Sequence, residues 1–168
     1  MQPEEIVSLS KSLHFLGEVI PIYRALTPGD KTEAVMDQGR IVITYKTADA
    51  SLETIPDAVF EKAIEAFLSK QCKRLVQSRI AFYQPKFKVK PKKVTIEKSF
   101  NKWGSCNAQK ELTFNYLLVT KPLEALDYVV VHELCHLSHL NHDRSFWRLL
   151  GSVLPNYKET EKLLSLPR

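Results

Sequence analysis

Two short stretches near the start of the chain have the apolar patterning of β-strands. They are VIPIY, Val19–Tyr23, and RIVITY, Arg40–Tyr45, and the segment between them contains the turn-forming sequences PGDK and DQG. Short runs rich in β-branched and aromatic residues, bounded by glycine, proline and aspartate, are typical of strands. We therefore predict strands between about Gly17 and Tyr45.

The next section, TIPDAVFEKAIEAFLSKQCKRLVQSRIAF, spaces its apolar residues by three and four positions. This spacing is that of one face of a helix with about 3.6 residues per turn. Thr54 with Pro56 and Asp57 supplies a helix start signal, because such residues suit the cap and the first turn. The sequence predicts one long helix with an apolar face made of Val59, Phe60, Ala63, Ile64, Phe67, Leu68, Cys72, Leu75, Val76 and Ile80.

The second half of the chain changes from strand-type to helix-type patterning. The runs KVTIEKSF and ELTFNYLLV flank WGSCNAQK, which predicts a β-hairpin or a meander. From Lys121 onward the pattern is helical, with Pro122 and Glu124 in a first turn that follows Thr120. A second helix is expected to begin at Asp143 and a third after Pro155. Strands followed by helices indicate an α+β fold with a small antiparallel or mixed sheet and a long helix.

Composition places limits on the class of protein. A chain of 168 residues fits a single domain over residues 1–168. No apolar run is long enough to cross a membrane, and the acidic start is unlike a secretion signal, so we expect no membrane association. The three cysteines are too few and too scattered for a disulfide framework, which favours a reducing, cytoplasmic location.

Charge adds one candidate surface, the segment KFKVKPKK. It carries five lysines between Lys86 and Lys93, and the whole chain has a net charge of +5. A solvated loop explains such a segment. The alternative is a docking surface for an anionic partner such as nucleic acid.

The strongest chemical signal is the run HELCHLSHLNH, which places four histidines within eleven residues. On a helix, His132 and His136 differ by about 40° in direction and about 6 Å in height, so both imidazoles can reach one ion. Glu133 lies about 100° round from His132, where it can take a proton from a water molecule that the metal activates. This is the HExxH arrangement of zinc hydrolases.

A zinc site with an open position for water needs a third protein ligand. His139 would lie about 10 Å along a continuous helix from His132, too far for both to bind one ion. His142 can return to the ion if the helix ends near His139 to Asn141, where Asn141 tolerates a left-handed conformation and Asp143 can cap the next helix. The alternative is a helix with incidental histidines, but the apolar LDYVVV before it, the break and the extra histidine favour one Zn²⁺ per chain.

The remaining candidates have structural interpretations. We expect His139 to be a secondary or surface residue and His14 to be structural. Cys135 is expected to pack inside, as free cysteines usually do. Cys106 could approach a metal, but it has no CxxC partner, so we expect a packing role.

The runs NKWGSC, LTFNYLL, LDYVVVHELCHLSHLNHDRSFW and LPNYKETEKLL resemble the YgjP-like (WLM-related) metallopeptidase family of zincin-like, predicted metal-dependent hydrolases. The resemblance is dense from about Asn101 to Leu164 and weak before Ile96. It implies a zincin-like fold with a metal-binding core over about 94–168, and the strands and long helix predicted over about 12–85 are compatible with it. It also implies zinc binding by His132, His136 and His142, with Glu133 as the base. The family often has serine where this chain has Asp143.

We therefore expect a zinc-dependent hydrolase, a metallopeptidase acting on peptides or proteins. Trp103, Gly104 and Ser105 are the candidate substrate-binding edge, because a glycine lets another backbone approach closely. The alternative for Trp103 is a place in the core of an ordinary hairpin. Two other functions stay open, a metal-dependent nucleotide (pyro)phosphohydrolase and a nucleic-acid-associated module with a structural metal. No glycine-rich phosphate loop supports the first, and a structural metal normally has four ligands.

Overall fold

The structure is a computed structural model that describes residues 6–26, 32–45 and 55–165. The chain divides into two compact units, Met1–Leu68 and Ser69–Arg168. The expectation of one domain over residues 1–168, with parts at about 12–85 and 94–168, stays a prediction.

The first unit contains a four-stranded sheet. Its strands are β1 (Ile6–Phe15), β2 (Glu18–Leu26), β3 (Glu33–Asp37) and β4 (Arg40–Tyr45), in the order β1-β2-β4-β3. β2 pairs with β4 in parallel, and the other two pairs are antiparallel.

Both strands predicted from the sequence are confirmed, as β2 and β4, and each has an antiparallel partner that the prediction lacked. β1 was missed because most of its side chains are exposed or half-buried, so its pattern has no clear apolar face. The predicted turn at DQG is confirmed at Gln38 and Gly39, both with positive φ, as the turn between two antiparallel strands requires. The PGDK sequence lies outside the described residues.

Helix α1 (Asp57–Tyr83) confirms the predicted long helix, with 27 residues. Its first turn is closed by the Pro56 carbonyl, which accepts from the backbone N–H groups of Val59 and Phe60. Thr54 of the predicted start signal lies outside the described residues. The buried side chains of the helix recur at helical spacing, at Ala63, Phe67, Leu68, Cys72, Val76 and Tyr83.

The second unit contains a three-stranded sheet made of β5 (Lys93–Glu97), β6 (Gly104–Cys106) and β7 (Glu111–Asn115), in the order β5-β7-β6. The hairpin prediction was wrong in its pairing. KVTIE and ELTFN, which form β5 and β7, are parallel neighbours, while β6, within the segment predicted to link them, is the antiparallel partner of β7. The turn is made by residues 107–110, where the Asn107 carbonyl accepts from the Lys110 N–H.

Three helices follow the sheet, namely α2 (Leu123–His136), α3 (Arg144–Val153) and α4 (Tyr157–Lys162). The predicted starts at Pro122, Asp143 and after Pro155 are confirmed. Thr120 does not cap α2, because its hydroxyl donates to the Leu117 carbonyl in a short 3₁₀ turn over Tyr116–Thr120.

Helix α2 has buried side chains on all of its faces, so it is the central helix of this unit, as expected for a helix that is apolar all round. They are Ala125, Leu126, Tyr128, Val129, Val130, Val131, Leu134 and Cys135. The architecture is α+β, with two small mixed sheets and four α-helices in the part of the chain that the structure describes. None of the helices described is long and apolar enough to span a bilayer.

Candidate metal centre

Helix α2 presents His132 and His136 from its last two turns. The two side chains are one turn apart, and their Nε2 atoms lie 3.2 Å from each other. This is the convergence that the spacing of four residues predicted.

His142 joins this pair because α2 ends at His136. The carbonyl of Cys135 accepts from the N–H groups of both Ser138 and His139, and the chain then turns back. The Nε2 atom of His142 lies 2.9 Å from that of His132 and 3.1 Å from that of His136. The helix thus ends three residues or more before the predicted range of His139 to Asn141.

The way in which the chain turns also differs from the prediction. Asn141 does not adopt the left-handed conformation, since the non-glycine residues with positive φ in the described ranges are Ser10, Leu16, Gln38 and Lys110. A tight turn on the Cys135 carbonyl reverses the chain instead, so no left-handed residue is needed at this point.

Helix α3 holds His142 in its place. The indole Nε1 of Trp147 donates to the His142 carbonyl at 3.0 Å, and the two rings stack with centroids 5.6 Å apart. Asp143 caps α3 by accepting from the Phe146 N–H at 2.9 Å, as its position in the sequence predicted.

Phe146 forms an apolar wall of the centre. Its ring is fully buried and lies 4.9, 4.7 and 4.6 Å, between centroids, from the rings of His132, His136 and His142. Its contact with all three imidazoles depends on the chain reversal, which no local pattern encodes.

The three histidines fit a divalent metal ion. Ligands about 2.0–2.1 Å from a tetrahedral ion lie about 3.3 Å from one another, close to the separations of 2.9–3.2 Å between the Nε2 atoms. Within the described ranges, they are the one group of three or more metal-binding side chains.

The protonation of the imidazoles agrees with this fit. His136 Nδ1 lies 2.9 Å from the His139 carbonyl, which can only accept, so Nδ1 carries the proton and Nε2 offers its lone pair. The pKa of His132 is lowered to about 4, chiefly by burial and also by the imidazoles of His136 and His142. Burial also lowers the pKa of His136. Neutral imidazoles are the form that binds metals.

Glu133 is buried beside the histidines. Its Oε2 has no hydrogen-bond partner, and burial raises the pKa of the carboxyl group to about 8, while the charge of Lys102 acts in the opposite direction. A buried carboxyl group with an unused oxygen is typical of a group that exchanges protons with a ligand. A cation bound by the histidines would favour the ionised form.

Gly104 lies directly against Glu133. A Cβ atom added to Gly104 would lie 2.8 Å from both Cγ and Oε1 of Glu133. The close approach at this glycine was expected to involve a substrate backbone, whereas the neighbour in the structure is the Glu133 side chain.

The loop before β6 is fixed by one buried amide. Asn115 Nδ2 donates to the carbonyls of Ser99 and Lys102, and the Asn115 N–H donates to the Trp103 carbonyl. Trp103 is half-buried, with Lys121 Nζ over its ring at 5.4 Å, and Lys102 Nζ donates to Ser105 Oγ. Asn115 was not predicted from the sequence, because a single asparagine in a strand carries no signal of its own.

The other candidate residues do not contribute a side chain to the group of three histidines. His139 contributes its carbonyl, not its ring, to the centre. Cys106 is not among the clustered side chains and its thiol donates to the Asn107 carbonyl, whereas Cys135 is fully buried as predicted. His14 lies on β1, in the other unit.

One comparison with known proteins gives a match. The sequence model of the family described as YgjP-like, metallopeptidase domain, matches residues 9–166, which is nearly the whole chain. No curated protein and no solved structure gives a significant match. The matched range covers most of both units and includes every residue of the centre.

Proposed function

Because the chain belongs to the YgjP-like metallopeptidase family, we propose that it is a zinc-dependent hydrolase that cleaves peptide bonds. The family and the three histidines together support a metal-dependent hydrolase. The observation that carries the finer proposal is the convergence of three Nε2 atoms within 3.2 Å of one another beside a buried carboxyl group.

We assign the metal to His132, His136 and His142. Three ligands leave one position of a tetrahedral ion open, as in catalytic zinc sites. Zinc bound there would polarise a carbonyl group and lower the pKa of water.

Glu133 is the proposed base. Its free Oε2 accepts a proton from the attacking water and returns it to the leaving amine, which is the role of a carboxylate next to a metal ligand. The charge of Lys102 favours the ionised carboxylate that this step requires, and a cation bound by the three histidines would do the same.

The substrate is proposed to bind along β6. This strand has β7 as its hydrogen-bonded neighbour on one side, and an extended peptide can pair with the other side of an edge strand. Gly104 is in contact with Glu133, so a peptide paired along Trp103, Gly104 and Ser105 would pass the base. This arrangement of strand, helix and chain reversal is our basis for calling the fold zincin-like.

Two alternatives are less well supported. A nucleotide (pyro)phosphohydrolase usually holds Mg²⁺ with carboxylates, and the clustered ligands of the described residues are all imidazoles. A structural metal would need a fourth protein ligand, and the described residues offer three.

An accessory contact with nucleic acid is proposed for the lysine segment, residues 86–93. Phe87 is buried and Val89 and Pro91 are half-buried, whereas Lys86, Lys88, Lys90, Lys92 and Lys93 are exposed. The alternation turns the charges outward, where phosphate groups can reach them. Replacing the five lysines by glutamine should abolish salt-dependent DNA binding, and binding that persists unchanged would contradict the proposal.

The three free cysteines are consistent with a cytoplasmic location, which we also propose.

The proposed function is tested by Glu133→Gln. The zinc-loaded protein is screened against a peptide library and nucleoside triphosphates, and the variant is compared on the best substrate. The amide cannot accept a proton, so we expect the fold and zinc content to be kept and turnover to fall by about 10²-fold or more. Near-normal turnover would remove Glu133 from the mechanism, and cleavage of nucleotides alone would favour the alternative.

A further inference from the structure

Lys110 occupies a backbone position that favours glycine. It ends the turn between β6 and β7, where the Asn107 N–H donates to the Glu111 carbonyl and the Lys110 N–H donates to the Asn107 carbonyl. Its φ is +65°, in the left-handed region. Glycine is the usual residue at this place in a short hairpin loop, since a side chain is unfavourable there. A lysine at this position therefore needs a reason.

The side chain of Lys110 supplies one. Its Nζ donates to the carbonyl of Leu137 at 2.6 Å, and Leu137 is the residue that directly follows α2. The last carbonyls of a helix have no partner within the helix, and a cation there is favoured by the helix dipole. Lys110 thus connects the hairpin turn to the end of the helix that carries His132 and His136.

The carbonyl that Lys110 holds belongs to the turn that sets the protonation of His136. Only two residues later, the His139 carbonyl accepts from His136 Nδ1. A shift of this turn would loosen that hydrogen bond, which orients the imidazole and leaves Nε2 free of a proton. It would also shift His142, which follows in the same short segment.

We propose that Lys110 is a positioning residue for the metal centre, acting through Leu137 and the turn of residues 137–139. The inference rests on the proposed metal site and adds a residue that does not touch the ion. The left-handed conformation of Lys110 is maintained because its ammonium group fixes the end of α2.

The test uses Lys110→Gly, for which stability and metal affinity should change in different directions. Glycine relieves the left-handed strain but removes the donor, so the denaturation midpoint of the metal-free protein should be unchanged or higher. The apparent dissociation constant for Zn²⁺, measured by competition with a chromogenic chelator, should rise about three- to tenfold. Direct partners of ligating histidines typically change affinity by about 10–100-fold, and Lys110 acts one step further away.

Three controls separate the tether from other effects. Lys110→Met keeps the aliphatic stem and should bind Zn²⁺ as weakly as Lys110→Gly, whereas Lys110→Arg keeps a donor and should restore most of the affinity. Gln38→Gly relieves a left-handed residue in the other unit and should leave the affinity unchanged. Wild-type affinity in both Lys110→Gly and Lys110→Met would overturn the inference, while a wild-type chain that binds no zinc would overturn the proposed metal site as well.

Discussion

Glu133 and Gly104 show how single residues depend on each other in this centre. The carboxyl group is buried on α2, and the backbone of β6 passes so close that only a residue without a Cβ atom fits. Without the glycine the carboxylate would have to move, and its distance from the three imidazoles would change. The position of the Glu133 side chain, the proposed base, therefore explains the glycine.

Gly104→Ala should disable the base without removing the metal. The added methyl group would lie 2.8 Å from Cγ and Oε1 of Glu133, closer than such contacts allow. Overpacking of this kind costs about 1–3 kcal/mol of unfolding free energy, and the displaced carboxylate should lower turnover strongly while zinc content stays at one per chain.

The matched control is Gly151→Ala on α3. Its Cβ atom would lie 3.5 Å from Tyr157 Cε1, an ordinary contact, so the substitution should stabilise the helix by about 0.5–1 kcal/mol. Denaturant unfolding and turnover of both variants are the measurements. Full turnover in Gly104→Ala would show that the contact with Glu133 has no functional importance.

At the scale of elements, two helices and the segment between them build the centre. α2 is fixed by its buried apolar surface and by Asp127, whose carboxylate accepts from Arg79 at 2.7 Å and from the Tyr83 hydroxyl at 3.0 Å. Asp143, the N-cap of α3, directly follows His142, and Trp147 in the first turn donates to the His142 carbonyl, so the start of α3 fixes the backbone at this histidine. Six residues, 137–142, thus separate His136 from Asp143, the N-cap of α3.

Removal of the cap at Asp143 should weaken this arrangement. Asp143→Ala leaves the Phe146 N–H without its side-chain acceptor, which should cost about 1 kcal/mol of unfolding free energy. Phe146 contacts all three imidazoles, so Zn²⁺ affinity should fall as well. Asp143→Ser is the control, because serine caps helices about as well as aspartate. Equal stability of the alanine and serine variants in urea unfolding would contradict the role of the cap.

At the scale of the whole molecule, local patterns predicted most elements, and long-range pairing was the part that they could not predict. The apolar spacing in α1 and the capping residue of α3 act through neighbours in sequence, so both were found. The parallel pairing of β5 with β7 joins residues 18 positions apart in its register, such as Lys93 with Glu111, and nothing local specifies it. β1 was missed because a strand without a buried side chain lacks a clear apolar face.

The candidate site divides in the same way. The convergence of His132 and His136 was predicted from their spacing on a helix. The return of His142 to this pair was predicted from the expected end of the helix before it. Phe146, Asn115 and Lys110 reach the centre or its surroundings only after the chain has folded, so no spacing in the sequence pointed to them. The mechanism of the reversal was also predicted wrongly, because the Cys135 carbonyl does the work assigned to a left-handed Asn141.

We propose that one ion is held by His132, His136 and His142 and not by the ring of His139. Zinc content measured on purified His142→Ala and His139→Ala tests it most directly, with both variants checked for folding by circular dichroism. His142→Ala removes one of three converging Nε2 atoms and should lose zinc, whereas His139→Ala keeps the backbone carbonyl that accepts from His136 and should retain one zinc per chain. Zinc retained in His142→Ala and lost in His139→Ala would contradict the account.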